Sequence, residues 1–167
     1  LVSLEFEEIN EQVTLEVSDV IISDSNASAI PSSGPGSTEI QLYPALFSYN
    51  QSALQAFYYF SSVTINGVSV DSLDWVGAFN GETCVGARQW DTSNCGGGIC
   101  DVPLMGEDQF DLTDGYMTNG DIPTFQIYDA SEDAYYDAVS SDIPPWFNFG
   151  MNNIDLLSAD VPISGCM

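Results

Sequence analysis

The feature that most constrains this chain is its almost complete lack of positive charge. Of its 167 residues, 25 are acidic and one is basic, and the net charge is −24. Exposed helix surfaces commonly use Lys and Arg beside Glu, whereas this chain is rich in the strand formers Val, Ile, Thr, Tyr and Phe. With 44% hydrophobic residues it also has material for a core. We therefore expect a folded all-β domain.

The same charge excludes several partners. A nucleic-acid partner is excluded because one basic residue cannot displace enough counterions from phosphates, and direct binding to an anionic membrane fails for the same reason. No apolar run approaches the roughly 18 residues of a membrane span. The repulsion among the carboxylates is either screened by a salty medium or relieved by bound divalent cations, and both interpretations stay open.

Clusters of acidic residues in turn-rich stretches are candidate Ca²⁺ sites, because this cation prefers six to eight oxygen ligands. There are two such clusters, and neither has the residue spacing of an EF-hand. A solvated acidic face explains each of them equally well. Asp71 and Asp74 precede a predicted strand and could join either one. The first cluster is Glu107, Asp108, Asp111 and Asp114, and the second is Asp121, Asp129, Glu132, Asp133 and Asp137.

The chain lacks the residues that most catalytic mechanisms need. The absence of His removes Ser-His-Asp and Cys-His mechanisms, and the absence of Lys removes Schiff-base chemistry. Paired carboxylates could hydrolyse a glycoside, but 25 acids place some pair at a suitable distance by chance. We expect no catalytic residues, and we expect the single basic residue, Arg88, to form an ion pair that holds an acidic loop.

The four cysteines indicate an oxidising compartment. Cys95 and Cys100 flank a Gly-rich loop that can close a bridge, and Cys84 and Cys166 would then pair by elimination. A zinc site made of all four cysteines is the alternative, although no Cys-x-x-Cys pair is present. We expect a secreted chain from which any leader has been removed.

Period-two alternation divides the chain into three parts. Residues 1–23 form a predicted N-terminal strand arm, 24–38 a Ser-, Gly- and Pro-rich linker, and 39–167 a β-sandwich domain. The arm either pairs within its own domain or is donated to a neighbouring subunit. Its alternating apolar residues are Val2, Leu4, Phe6, Val13, Leu15 and Val17.

Short strands separated by turns predict a β-sandwich, of an antiparallel, jelly-roll or Ig-like kind. Asn80-Gly81 is a two-residue hairpin signal. Residues 91–120 are predicted to be a long acidic loop, and 154–157 a short helix or strand. The predicted strands lie near 39–43, 54–66, 73–80, 82–90, 123–130 and 133–138.

Residues 47–138 carry a combined motif. An acidic residue precedes the strand WVGAF, a turn leads to CVGA, and GDIPTFQIYDA follows later. This pattern resembles a module of large secreted and cell-surface proteins of marine microbes, whose function is poorly defined. The resemblance implies an extracellular β-sandwich and does not extend to the N-terminal segment.

Two further patterns concern sugars. Trp75, Trp90 and Trp146 could form an aromatic platform for a glycan, although packing in the core explains them as well. Asn26 and Asn50 begin acceptor sequons for N-glycosylation.

Together these features predict a non-enzymatic extracellular structural protein. We expect a subunit of a filament or surface assembly, joined by donation of the N-terminal arm and stabilised by disulfides and by Ca²⁺ if the clusters bind it. The partners would be other copies of the chain or neighbouring surface domains. The alternative is a carbohydrate-binding or adhesion module of a larger surface protein, with a polysaccharide as its partner.

Overall fold

The computed structural model describes residues 12–17, 22–23, 29–30, 36–41 and 44–161, and their regular structure is strands and three-residue 3-10 turns. No helix in these stretches is long and apolar enough to cross a membrane. The strands are β1 (Gln12–Val17), β2 (Ile22–Ser23), β3 (Ala29–Ile30), β4 (Gly36–Gln41), β5 (Gln55–Ile65), β6 (Val68–Ser69), β7 (Trp75–Asn80), β8 (Thr83–Gln89), β9 (Cys100–Met105), β10 (Thr124–Asp129), β11 (Ala134–Ala138) and β12 (Met151–Ala159).

Residues 1–43 and 44–167 are two compact units. In the first unit, β1 pairs antiparallel with β4, and β2 pairs with β3. The predicted linker at 24–38 therefore contains β3 and the beginning of β4, and the unit ends later than the predicted boundary at residue 38. Composition indicated a loop there, but a ladder depends on backbone pairing, which Gly and Ser can also make.

The second unit is an all-β sandwich of two sheets, which confirms the predicted fold class. One sheet has the antiparallel order β11-β10-β7-β8. In the other, β5 is central, with β12 on one side and both β6 and β9 on the other. The pairing of β12 with β5 is parallel, so this sheet is mixed.

The hairpin of β7 and β8 forms beside Asn80-Gly81, as the sequence predicts, but its two turn residues are Gly81 and Glu82, because Asn80 pairs with Thr83. The register shifts beside Ala78, and Val85 in β8 is left without a partner on β7. This bulge places Val85 and the next residue, Gly86, on the inner side. A Cβ atom on Gly86 would lie 1.7 Å from the carbonyl oxygen of Pro103, so only glycine fits this close approach.

Strand β9 lies inside the stretch that the sequence predicts as a loop, and that part of the prediction is wrong. The prediction rested on the turn-rich, acidic composition of residues 91–120, and β9 itself contains a proline, Pro103. A proline cannot donate to a ladder, and it is tolerated where the N–H would face away from the neighbouring strand. β9 pairs through one side only, with β5, and so it accommodates the proline.

Two apolar clusters cover the two faces of the β11-β10-β7-β8 sheet. The larger lies between the sheets and contains Trp90 and Trp146. The smaller contains Trp75 and Phe47, whose ring lies 2.5 Å from where a Cβ on Gly77 would be. The exposed fractions of the three tryptophans are 6% for Trp75, 5% for Trp90 and 1% for Trp146, so they pack in cores and form no sugar platform.

The parallel strands β5 and β12 share an irregularity. Buried side chains alternate through Phe60 in β5, and the next buried residue is Val63, three positions on. In β12 the same interval separates Ile154 and Leu157. The register is equal before and after this interval, because Ile154 pairs with Phe60 and Leu157 with Val63. At this paired position, both strands thus change which of their two sides faces the core.

Candidate functional site

Asp74 is a buried carboxylate that joins three segments of the sandwich, and only 4% of it is exposed. Its two carboxylate oxygens accept hydrogen bonds from the backbone N–H of Asp71 at 2.8 Å and of Ala130 at 3.0 Å. Its own carbonyl accepts from Trp90 N–H at 2.7 Å. Burial raises the pKa of Asp74, and the nearby carboxylates of Asp71 and Asp129 raise it further, although the two hydrogen bonds oppose this.

Asp108 organises the acidic loop after β9. Its carboxylate accepts from the hydroxyl of Thr113 at 2.7 Å and from the N–H of Phe110 at 2.9 Å. Ser52 and Ala53, from the segment before β5, donate to it as well. The Thr113 hydroxyl, followed by Phe110 N–H, lowers the pKa of Asp108. This predicted Ca²⁺ ligand thus holds together two segments that are far apart in sequence.

Most of the other candidate Ca²⁺ ligands also accept hydrogen bonds from nearby groups. Within the described ranges, no three or more acidic, Cys or His side chains gather as a metal would require. Ca²⁺ binding by these clusters therefore stays a prediction. The bonds run to Glu107 from Gly115 N–H, to Asp121 from Thr118, to Asp129 from Ser131, to Glu132 from the Tyr136 hydroxyl, and to Asp133 from the Tyr128 hydroxyl. Asp114 is exposed, and the side chain of Asp111 lies outside the described part of the chain.

Arg88 joins the edges of the two sheets. Its guanidinium contacts both carboxylate oxygens of Asp101 at 3.0 Å, and its Nε donates to the Asp101 carbonyl. The exposed fractions are 37% for the Arg88 side chain and 18% for that of Asp101. The ion pair expected for Arg88 therefore links β8 to β9.

The outer side of β9 is blocked at three positions. Arg88 occupies the Asp101 carbonyl, Pro103 has no N–H to offer, and the Met105 carbonyl accepts from Met117 N–H at 3.3 Å. On the opposite side of the sandwich, Val139 and Ser158 exchange two backbone hydrogen bonds of 2.8 and 2.9 Å, which connect the sheets there.

One predicted disulfide is present, and the other involves a cysteine outside the described residues. Cys95 and Cys100 are bonded, across the loop that leads into β9. Cys84 is buried against the Phe47 cluster and bonds no cysteine in the described part of the chain, while Cys166 lies outside it. Burial raises the pKa of the Cys84 thiol to about 11, so it is unreactive near neutral pH.

Some of the remaining predicted positions lie within the described residues, and others lie outside them. Val13, Leu15 and Val17 lie on β1 opposite Ile40, Thr38 and Gly36. Asn50 is exposed, and its side-chain amide donates to the Leu112 carbonyl at 3.2 Å, so its glycosylation stays a prediction. Val2, Leu4, Phe6 and Asn26 lie outside the described residues.

A cavity of about 570 Å³, which sequence analysis missed, opens where β7 ends and β10 begins. Its apolar lining includes Leu46, Phe79 and Val139, and its acidic groups are Glu82 and Asp137. These residues are far apart in sequence, and their proximity follows from the strand order β11-β10-β7-β8.

Comparison with protein-family models finds no match, and neither the curated proteins nor the solved structures give one. A functional assignment for this chain therefore depends on its own residues and geometry.

Proposed function

We propose that this chain is a non-enzymatic structural module of an extracellular or cell-surface assembly, whose copies join by strand pairing through the N-terminal unit. The observation that carries the proposal is the two-stranded ladder of β1 and β4. A two-stranded sheet is marginally stable alone in water, and each of its strands has a second edge for which the described residues provide no partner strand.

Two edge regions of the sandwich are already occupied, and this favours the N-terminal unit as the joining element. Arg88, Pro103 and Met117 close the outer side of β9, and the Val139–Ser158 bridge connects the sheets on the other side. Closed edges are the usual protection of a sandwich against edge-to-edge association. We therefore propose that strand pairing between copies uses β1 and β4.

The extracellular location rests on two supports. The Cys95–Cys100 disulfide fits an oxidising environment. The WVGAF, CVGA and GDIPTFQIYDA motifs resemble those of secreted and cell-surface modules, and all three lie on or beside strands of the sandwich.

The proposal is tested by placing a charge on the N-terminal ladder. Leu15→Lys adds a lysine to β1, which discourages pairing at that strand. Val68→Lys is the matched control, because it makes the same change of charge at an exposed position of the sandwich strand β6.

Light scattering and negative-stain microscopy provide the readout. We expect polymers from the unmodified chain and from Val68→Lys, and monomers from Leu15→Lys. The proposal fails if the unmodified chain stays monomeric at high concentration, or if both variants polymerise equally.

The carbohydrate-binding alternative keeps one specific support. Phe149 is 74% exposed and has φ of 63°, a left-handed conformation that is unusual for a bulky residue. Phe147, in the same turn, is also exposed. If the alternative holds, a polysaccharide column retains the chain and Phe149→Ala abolishes retention, whereas the buried tryptophans are not involved.

A further inference from the structure

The cavity at the end of the β11-β10-β7-β8 sheet combines apolar walls with negative charge. Leu46 and Val139 are more than half exposed, whereas Phe79 is buried. The walls therefore combine solvent-exposed and buried apolar side chains. Glu82 and Asp137 add two carboxylates. The volume of about 570 Å³ lies in the range of ligand cavities.

The position of Asp137 is set by its neighbour. The side-chain amide of Gln126 donates to one of its carboxylate oxygens at 2.8 Å, across the paired strands β10 and β11. Glu82 is the second residue of the two-residue turn between β7 and β8, and Gly81, the first, has φ of 61°. Asp137 is therefore held on a strand and Glu82 in a tight turn, and this favours a preformed site.

No basic side chain of the chain neutralises this cavity. Arg88 is the only Lys or Arg, and it is paired with Asp101 and does not line the cavity. The two carboxylates disfavour an anion. Among the described residues, no three acidic, Cys or His side chains gather as a divalent cation would require.

We propose that this cavity receives a lysine or arginine side chain of a partner protein. The alkyl stem lies against Leu46, Phe79 and Val139, and the cation is placed near Glu82 and Asp137. The partner is a different protein, because a second copy of this chain offers only Arg88. The proposal is independent of strand pairing through the N-terminal unit.

The test uses the full ¹⁵N-labelled chain and two small probes. Nα-acetyl-lysine methylamide carries the cation, and Nα-acetyl-norleucine methylamide is its neutral counterpart. We expect the lysine probe to shift the amide resonances of Gly81 and Ala138. We expect the affinity of the norleucine probe to be lower by a factor of about five or more. Shifts spread evenly over the acidic surface would overturn the proposal, since they would indicate general attraction by the net charge.

Matched variants separate the cavity from that general attraction. Glu82→Gln with Asp137→Asn removes two charges at the cavity, and Asp142→Asn with Asp160→Asn removes two exposed charges elsewhere. We expect the first pair to weaken the lysine probe about fivefold and the second to change it less than about twofold. Equal losses of affinity in both pairs of variants would refute the proposal. Glucose serves as a sugar control, and binding of glucose at Gly81 and Ala138 that equals binding of the lysine probe would refute it as well. If the first pair perturbs folding, Glu82→Gln alone keeps the Asp137–Gln126 hydrogen bond and serves the same test.

Discussion

Asp74 and Asp108 perform the same task in two different regions of the sandwich. Each accepts hydrogen bonds from segments that are distant in sequence, and each thereby fixes the path of a loop. They differ in their surroundings. Asp74 is buried beside other carboxylates and has a raised pKa, whereas hydroxyl and N–H donors lower the pKa of Asp108.

The difference shows how a chain with 25 acidic residues and one arginine uses its carboxylates. With so few cations available, backbone N–H groups and hydroxyls become the main partners of the carboxylates. Where donors outweigh burial, the ionised form is favoured, and where burial dominates, it is disfavoured. The direction of the pKa shift therefore distinguishes two kinds of structural carboxylate.

The largest effect is expected from Asp74→Ala. The substitution leaves the N–H groups of Asp71 and Ala130 without their acceptor, and each such loss is costly in a covered site. We expect the free energy of unfolding to fall by about 2 to 3 kcal/mol, measured by urea denaturation. A change within error would show that water replaces the carboxylate and that Asp74 does not join these segments.

Asp108→Ala is expected to destabilise the chain less, because its site is nearer to solvent and water can satisfy the released donors. The same denaturation experiment measures it. Asp114→Ala is the control, since Asp114 is exposed in the same loop. A loss as large as that of Asp74→Ala would contradict the ranking of the two carboxylates.

The pH dependence of stability should have opposite signs at the two sites. Because the pKa of Asp74 is raised from 3.8, its contribution is fully present below 3.8 and is lost as the pH rises through the folded value. Because the pKa of Asp108 is lowered from 3.8, its contribution is present above 3.8 and is lost as the pH falls through the folded value.

Asp74→Asn and Asp108→Asn measure these contributions, since each removes one charge and the general repulsion changes equally. Relative to the unmodified chain, Asp74→Asn should gain stability as the pH rises above 3.8, and Asp108→Asn should gain it as the pH falls below 3.8. Thermal unfolding between pH 2 and 7 provides the measurement. Parallel curves for the two variants would contradict the assigned shifts.

The smallest effect is expected from Asp101→Asn, which weakens the pair with Arg88. The Arg88 side chain is over one third exposed, and exposed ion pairs contribute little. We expect a loss of about 0.5 to 1 kcal/mol, reduced further by salt. A loss that equals that of Asp74→Ala would show that this sheet edge depends on the arginine more than its exposure indicates.

Local signals predicted much of the sandwich. Asn80-Gly81 located the β7–β8 hairpin, and alternation located β5, β10 and β11. β9 is not predicted because the turn-rich, acidic composition of residues 91–120 is typical of loops, and only the pairing with β5 makes this segment a strand. The parallel pairing of β12 with β5 joins residues more than 90 positions apart, and no local pattern encodes it.

The functional residues were less predictable. The sequence predicts that Asp108 belongs to a cluster of Ca²⁺ ligands, but its hydrogen-bond donors include Ser52, 56 residues away. The cavity unites Leu46, Glu82 and Asp137, which no motif connects. Carboxylates resemble one another in a sequence, and what each one does depends on the donors that the fold brings to it.

The matching change of face in β5 and β12 couples the lengths of two segments that are encoded far apart. A one-residue deletion near Ser61 alone would turn the following residues of β5 away from their partners. A simultaneous deletion near Asp155 would keep the two strands in step. Insertions and deletions in these strands should thus be inherited in pairs, and a relative that changed length in only one strand would need a different second sheet.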